Sequence, residues 1–501
     1  MPARPLRARI DNLSLVSHHW LDLAVIAAYL GGITWFGARF RSSQKSLRDY
    51  FLGGKSAPWW AIALSIVSAE TSTLTVIGTP ALAFQGNFEF LQLVLGYLLA
   101  RVAIAVLFLP AYFRGELFTA YQLIRRRFGE RAGRFSAAVF LVLRALAEGV
   151  RVFAISIVVS VVLNVSSTAS IAAILCLTLF YTYEGGMTAV IWTDALQMAL
   201  YLGGAIFSLA AVLRQIPGGW AHVAAICAPL GKFQVFDFRL GPPGQFFART
   251  YSFWAGIIGG CFLTAASHGT DQLMVQRLLA ARSERESRAA LFASWIVVAA
   301  LFTLFLIIGA CLFVFYSDHH FPAPPVADSV YPRFVWDFVP SPAAGLIVAA
   351  ILAAAMSNLS AALNSLASTT VLDFCRPLMR RTVGEEAWLQ WARRATVAWG
   401  GTLFAVALAA RHWGSVLQAG LSIASVLYGA LLGVFLLGVL TRRVGESSAI
   451  AGMIAGLALM IYVRFATSIA FTWYVLLGTA ATFGAGCAAS FTWRSHASKK
   501  Y

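Results

Sequence analysis

Apolar segments about 20 residues long recur along almost the whole of this chain of 501 residues. A helix needs about 20 predominantly apolar residues to cross the hydrocarbon core of a bilayer. They fall at 20–40, 57–85, 88–113, 134–165, 168–184, 188–213, 250–280, 289–316, 342–374, 393–410, 413–440, 446–467 and 469–492. We therefore predict an all-α polytopic membrane protein with about 13 transmembrane helices, a lead-in helix followed by core helices 1 to 12.

The segments follow one another so closely that they predict a single transmembrane domain over 19–493. An N-terminal tail at 1–18 and a C-terminal tail at 494–501 flank it. The composition agrees, because 59% of the residues are hydrophobic and only 12% are charged, about half the charged share of soluble proteins. This excludes an ordinary soluble enzyme and a disordered chain. The six cysteines show no metal spacing and no catalytic motif is present, so neither an enzyme nor a cofactor is expected.

The net charge of +17 is unevenly distributed between the loops. With the N-terminus outside, about 25 of the 38 lysines and arginines fall on the side of the even-numbered loops, and positive charge marks the cytoplasmic side. The bias predicts a multi-pass protein of the cell (cytoplasmic or inner) membrane, with its N-terminus outside and its C-terminus in the cytoplasm. The basic clusters are expected to lie near anionic lipid. No basic stretch stands apart from a span, so no nucleic-acid partner is expected.

Predicted core helix 1 is the most polar of the spans. Five hydroxyls and a carboxylate occur between Ser68 and Thr75, shortly before Gly78-Thr79-Pro80. Polar residues at mid-membrane are functional candidates, and a helix that unwinds there bares carbonyls for a cation. The alternative is a kinked helix whose hydroxyls bond back to the preceding turn.

Other spans also carry unusual polar residues. In core helix 8, Ser357, Ser360 and Asn364 share one face, which suits a hard cation or tight packing. Asp194 lies in core helix 5. Core helix 6, predicted over 250–280, carries Thr264, Ser267, His268, Gly269, Thr270, Asp271, Gln272, Gln276 and Arg277. Core helix 3 carries the remaining set on one face, which an internal salt bridge would also explain: Arg144, Glu148 and Arg151.

In these residues the chain resembles the sodium:solute symporter family over essentially its whole length. The motifs that carry the resemblance, in chain order, are Tyr50 to Lys55 before Trp59-Trp60, Glu70-Thr71-Ser72 through Pro80, Trp192-Thr193-Asp194, Asp271-Gln272 with Gln276-Arg277, Leu363-Asn364-Ser365, and Phe435 to Gly438. The resemblance implies a LeuT-type fold, in which core helices 1–5 and 6–10 form inverted repeats, with one lead-in helix and two C-terminal helices. It also implies a secondary active symporter that works by alternating access.

The resemblance further implies a sodium ion between core helices 1 and 8. Its ligands would be the backbone carbonyls of Ser68, Thr71 and Ala354 and the side chains of Ser357 and Asn358. Asn358 departs from the family pattern, which usually has serine or threonine there. An amide oxygen still coordinates sodium, but it reaches further than a hydroxyl.

A second ion site occurs in some members of the family. Asp194, Ser357 and Ser360 match it, but Ala361 replaces one of its serines. We therefore expect one sodium per cycle, with Asp194 on the ion's exit path. Glu70 takes the place of an acidic residue of the proline branch.

The solute is expected to be small, polar and organic, and carboxylated or zwitterionic. The residues that contact sugars in the sugar branch are replaced here by Leu74, Thr75, Ser267 and Leu421. An arginine of core helix 3 suits a carboxylate, because its guanidinium is a planar fork. The candidate solute contacts are Thr75, Thr264, Ser267, His268, Ser422 and Arg151.

Two alternatives remain open at the level of sequence. A proton-coupled symporter of the same fold could use Glu70, Asp194 and His268 as proton carriers. A solute-sensing transceptor is the other. The expected partners are sodium, the solute and the bilayer.

Overall fold

The computed structural model describes residues 20–39, 55–71, 73–114, 117, 119–182, 187–376, 385–413 and 416–497. The predicted tail at 1–18, most of the Tyr50–Lys55 motif and Ser72 lie outside these residues. All regular structure within them is helical. In chain order the helices are α1 (Trp20–Ala38), α2 (Trp59–Glu70), α3 (Thr73–Gln85), α4 (Leu91–Phe113, with a π-helical turn at Ile104–Phe108), α5 (Ala120–Phe128), α6 (Glu130–Leu163), α7 (Ser167–Thr182), α8 (Met187–Gln215), α9 (Gly219–Cys227), α10 (Pro243–Ala248), α11 (Gly260–Gly269), α12 (Gln272–Leu279), α13 (Glu284–Asp318), α14 (Val330–Phe338), α15 (Ala343–Thr369), α16 (Glu385–Ala410), α17 (Val416–Leu440), α18 (Glu446–Ala466) and α19 (Tyr474–Ala497).

Each of the predicted apolar segments contains helix. Within the described residues, seven helices are long and apolar enough to cross a membrane, and an eighth is added if α2 and α3 form one bent span. Three further helices, α1, α7 and α15, contain shorter apolar stretches. The predicted all-helical membrane architecture is therefore confirmed, whereas the number of 13 crossings is not.

Core helix 1 is broken in the structure, into α2 and α3, whose axes differ by 61°. α2 ends within the hydroxyl cluster, where Thr71 donates both its backbone N–H (2.7 Å) and its hydroxyl (2.6 Å) to the carbonyl of Val67. The break therefore precedes Gly78 and Pro80, which lie inside α3. Gly78 serves packing instead, because a Cβ there would come within 2.7 Å of the Leu417 side chain.

Core helix 6 is broken as well. α11 ends at Gly269 and α12 begins at Gln272, with Asp271 as its N-cap. The Asp271 side chain accepts a hydrogen bond of 2.9 Å from the backbone N–H of Leu273. Two discontinuous helices at corresponding positions are the arrangement expected of inverted repeats.

The two broken helices lie next to long helices. α2 and α3 pack on α13, α2 also contacts α8, and α11 packs on α4. α6 lies against both α15 and α17. Small residues allow the closest approaches between helices: at Gly456 of α18, an added Cβ would lie 1.9 Å from the hydroxyl oxygen of Thr482 in α19.

Candidate functional site

A cavity of about 120 Å³ lies beside the two breaks. It is walled by α2, α3, α4, α6, α11, α12, α13 and α17. Its polar lining residues are Glu70, Thr75, Tyr97, Arg144, Arg151, Thr264, Ser267, His268 and Tyr428. An engineered cavity of about 150 Å³ holds benzene, so this cavity has the size of a small organic molecule.

The end of α2 presents buried oxygens that lack hydrogen bonds. The hydroxyl of Ser68 and Oε1 of Glu70 have no hydrogen-bond partner among the described residues. Thr73, at the start of α3, has a buried hydroxyl in the same situation. Buried polar groups are normally paired, so such oxygens at one helix break favour a ligand there.

The other oxygen of Glu70 contacts Arg101 and His268. Oε2 accepts a hydrogen bond of 2.6 Å from Nη2 of Arg101 and lies 3.2 Å from Nε2 of His268. Nδ1 of His268 lies 2.9 Å from the Ser267 hydroxyl. Arg101 is fully buried and also donates to the backbone carbonyls of Leu291 and Tyr97. These contacts link the end of α2 to α4, α11 and α13.

A second ionic network ties the break in core helix 6, between α11 and α12, to α6. Oδ2 of Asp271 accepts hydrogen bonds from Nη2 of Arg144 and, at 2.7 Å, from the hydroxyl of Tyr428. Arg144 also pairs with Oε1 of Glu148 at 2.8 Å, and Nη1 of Arg151 reaches the same oxygen at 2.7 Å. The internal salt bridge proposed for core helix 3 is therefore present, and it extends to two further helices.

Arg151 is the most accessible charged side chain of this network. Its side chain is 20% exposed, against 4% for Arg144 and 1% for Glu148. Together with Glu148 it also lines a narrow crevice, too small for a water molecule, next to Thr73 and Asn358. Arg151 therefore stands between the main cavity and the region predicted to hold sodium.

The predicted sodium ligands lie where α2 meets α15. Nδ2 of Asn358 donates a hydrogen bond of 2.8 Å to the backbone carbonyl of Ser68. Oδ1 of Asn358 is buried and has no partner in the part of the chain that the structure describes. Ala354 and Ser357 belong to α15, and their side chains lie outside the described part. The unpaired oxygens of Ser68 and Asn358 fit the neutral oxygen ligands that a hard cation prefers.

Asp194 is part of a buried ion pair. Its Oδ2 accepts hydrogen bonds from the Ser65 hydroxyl at 2.6 Å and from Nη2 of Arg277 at 2.9 Å. Arg277 is itself 1% exposed. The cluster joins α2, α8 and α12, and it places a fixed cation beside the residue predicted to guide sodium. Ser360, the other predicted member of this site, is half-buried on α15.

Five of the six predicted solute contacts line the main cavity: Thr75, Thr264, Ser267, His268 and Arg151. Ser422 is not among the lining residues, although its neighbour Leu421 is. The sequence reasoning missed Arg101 and Tyr428. Arg101 had a signal that could have found it, since it is a charged residue within a predicted apolar span.

The chain matches the model of the sodium:solute symporter family over residues 50–456. It is 28% identical to the human sodium/iodide cotransporter over 443 residues, which are 87% of this chain and 67% of that protein. It is 26% identical over 482 residues to the sodium/sialic acid symporter of Proteus mirabilis, covering 93% and 94% of the two chains. It is 27% identical over 454 residues to the human sodium-coupled monocarboxylate transporter 1, covering 89% and 72%.

The fold is similar to that of a solved sodium-coupled sialic acid symporter in a substrate-bound outward-open state. The two share a TM-score of 0.83 and 25% identity over 94% of this chain and 98% of the other. This similarity confirms the predicted LeuT-type fold.

Proposed function

Because the chain belongs to the sodium:solute symporter family and is a sodium-coupled symporter, we propose that its solute is a small organic carboxylate. The observation that carries the proposal is Arg151, the most accessible charged side chain of the network at the main cavity. A guanidinium binds a carboxylate through two parallel hydrogen bonds. Within the part of the chain that the structure describes, Arg151 donates to Glu148 through Nη1 alone, and the other nitrogens of its guanidinium are proposed to bind the solute.

The charge balance around the cavity supports an anion. Three arginines (Arg101, Arg144 and Arg151) face three carboxylates (Glu70, Glu148 and Asp271). Uncompensated charge is costly away from water. A monocarboxylate that enters together with one sodium ion keeps this balance, whereas a cationic solute would upset it.

The relatives support the same class of solute. The names of three of them refer to iodide, sialic acid and monocarboxylates, all of which are anions at neutral pH. The volume of about 120 Å³ favours a short-chain acid over a sugar acid.

Sodium is proposed to bind between α2 and α15, at Ser68, Thr71, Ala354, Ser357 and Asn358. The proposed stoichiometry is one sodium per cycle, because Arg277 neutralises the aspartate that a second site would use. With the N-terminus outside and the C-terminus in the cytoplasm, both ligands enter from outside and leave inward through the cell membrane. One sodium ion and one monocarboxylate together carry no net charge, so the membrane potential does no net work on this cycle and the sodium concentration gradient drives it. A tenfold sodium gradient supplies about 1.4 kcal/mol, a tenfold accumulation of solute.

Uptake into proteoliposomes tests the proposal. We expect a sodium gradient to drive uptake of labelled propionate, with competition by short carboxylates and none by hexoses. Uptake driven equally well by a proton gradient in choline would contradict sodium coupling, and competition by hexoses alone would contradict the solute class.

Arg151 provides the residue-level test. We expect Arg151→Gln to raise the KM for propionate at least tenfold, because a charge-assisted hydrogen bond contributes about 1.5–3 kcal/mol, and Arg151→Lys to recover part of the loss. Arg288→Gln, on the exposed surface of α13, is the matched control and should leave the KM unchanged. An unaltered KM in Arg151→Gln would remove Arg151 from the site.

A further inference from the structure

The amide of Asn358 makes a direct polar link between the break in core helix 1 and α15. Its Nδ2 donates a hydrogen bond of 2.8 Å to the carbonyl of Ser68, while its Oδ1 is buried and has no partner among the described residues. A backbone carbonyl can only accept a hydrogen bond, so the amide nitrogen must face Ser68. The orientation of the two amide atoms is therefore fixed by chemistry.

The Ser68 carbonyl needs a partner because of its place in the chain. It belongs to the last turn of α2, where carbonyls lose their intrahelical donors. The carbonyl of Val67, one residue earlier, is satisfied by Thr71. The carbonyl of Ser68 is satisfied by Asn358 from another helix.

We propose that Asn358 is a positioning residue that holds the end of α2 against α15 when sodium is not bound, so that the amide performs part of the ion's ordering role. The proposal rests on sodium coupling, but it does not depend on the identity of the solute. A cation between α2 and α15 attracts oxygens of both helices. The amide N–H of Asn358 attracts one of these oxygens as well, the carbonyl oxygen of Ser68. The free Oδ1 then remains for the ion while the link stays in place.

The consequence concerns how strongly sodium orders helix 1. A link that persists without the ion lowers the population of opened helix 1 in the ion-free protein. Sodium binding then produces a smaller further decrease in the population of opened core helix 1. A serine at position 358 keeps an oxygen for the ion but is too short to maintain the same link, so ordering would depend on sodium more strongly.

Hydrogen–deuterium exchange of the full chain in detergent measures this ordering without any solute. Peptides that cover α2 and α3 are followed in sodium chloride and in choline chloride at equal ionic strength. In choline, we expect exchange of these peptides to be about fivefold faster in Asn358→Ser than in the unaltered protein, the equilibrium factor of one ordinary buried hydrogen bond. In saturating sodium the two proteins should exchange alike.

Two further variants separate the link from simple packing. Asn358→Ala removes both the donor and the oxygen, and its helix 1 peptides should exchange fast in both salts. Ser365→Ala is the matched control, because Ser365 is equally buried on α15 and its hydroxyl bonds within that helix. It should behave as the unaltered protein does. Peptides of α11 and α12 report whether each variant is folded, and Asn358→Thr replaces any variant that is not.

The outcomes decide the proposal. Exchange in choline that is unchanged in Asn358→Ser overturns it, as does exchange that is accelerated equally in both salts. A failure of carboxylate uptake would overturn the proposed solute and leave this result standing.

Discussion

The two broken helices occupy corresponding positions in the inverted repeats but differ in how their polar groups are satisfied. At the break in helix 6, Asp271 caps α12 and pairs with Arg144 and Tyr428. The carbonyl of Gly269 accepts a hydrogen bond of 2.6 Å from the Tyr112 hydroxyl. At the break in helix 1, hydroxyl and carboxylate oxygens stay unpaired among the described residues. One break is therefore completed by the protein itself, and the other leaves oxygens available for a ligand.

This difference assigns the two breaks different tasks. An ionic network such as that of Asp271, Arg144 and Tyr428 is rigid in a low-dielectric interior, because a rearrangement costs hydrogen bonds. A break with unpaired oxygens is stabilised by whatever binds it. We therefore expect changes at helix 6 to alter stability in any salt, and changes at helix 1 to alter the response to sodium.

The largest effect is expected for Asp271→Ala. Removing one partner of a buried ion pair costs about 3–5 kcal/mol, because Arg144 would keep an unbalanced charge, and the cap of α12 would be lost as well. The thermal unfolding midpoint should fall strongly, and by the same amount in sodium and in choline. Asp271→Asn keeps the cap and should lose less. A loss confined to choline would show that the break in helix 6 also responds to sodium.

An intermediate effect is expected for Tyr428→Phe. The substitution removes one hydroxyl that donates to Asp271 and keeps the ring in place, which corresponds to about 1 kcal/mol. Unfolding measured in both salts should shift slightly and equally. Tyr462→Phe, on the exposed face of α18, is the control and should shift neither. A shift in unfolding that differs between sodium and choline would contradict the expectation that the break in core helix 6 does not respond to sodium.

The smallest effect on stability, and the sharpest on sodium, is expected for Ser68→Ala. The hydroxyl has no described partner, so its removal should change stability in choline by less than about 0.5 kcal/mol. The added stability in sodium should shrink, because the variant keeps the backbone carbonyl of Ser68 but loses its hydroxyl, an additional candidate ligand of the ion. Sodium titrations followed by thermal unfolding measure both quantities. A full sodium response in this variant would exclude the Ser68 hydroxyl as a ligand.

Much of the architecture could be predicted from the sequence because it depends on local properties. The length and apolarity of the segments indicate a helical membrane protein, and the hydroxyl cluster from Ser68 to Thr75 indicated the break in core helix 1. The break falls a few residues before Gly78 and Pro80, because Thr71 ends α2 by bonding to Val67. Five of the predicted solute contacts line one cavity, because the sequence assigned them to segments that are helices in the structure.

The pairing of charges could not be predicted in the same way. Arg101 and Glu70 are 31 residues apart, Asp271 and Arg144 are 127 apart, and Asp194 and Arg277 are 83 apart. No local pattern specifies which arginine meets which carboxylate. Asp194 was expected to accompany an ion, and the structure shows it held by Arg277 and Ser65.

The sequence by itself determined that this chain is a helical membrane protein with polar interruptions, since burial in lipid constrains each segment separately. The tertiary structure decided which of those interruptions remain open. Asp271 and Glu70 are both carboxylates at helix breaks, yet within the described ranges only Asp271 has both of its oxygens hydrogen-bonded. A hydrogen bond needs its partner within about 3 Å, and only the packing of distant helices brings the partner to that distance.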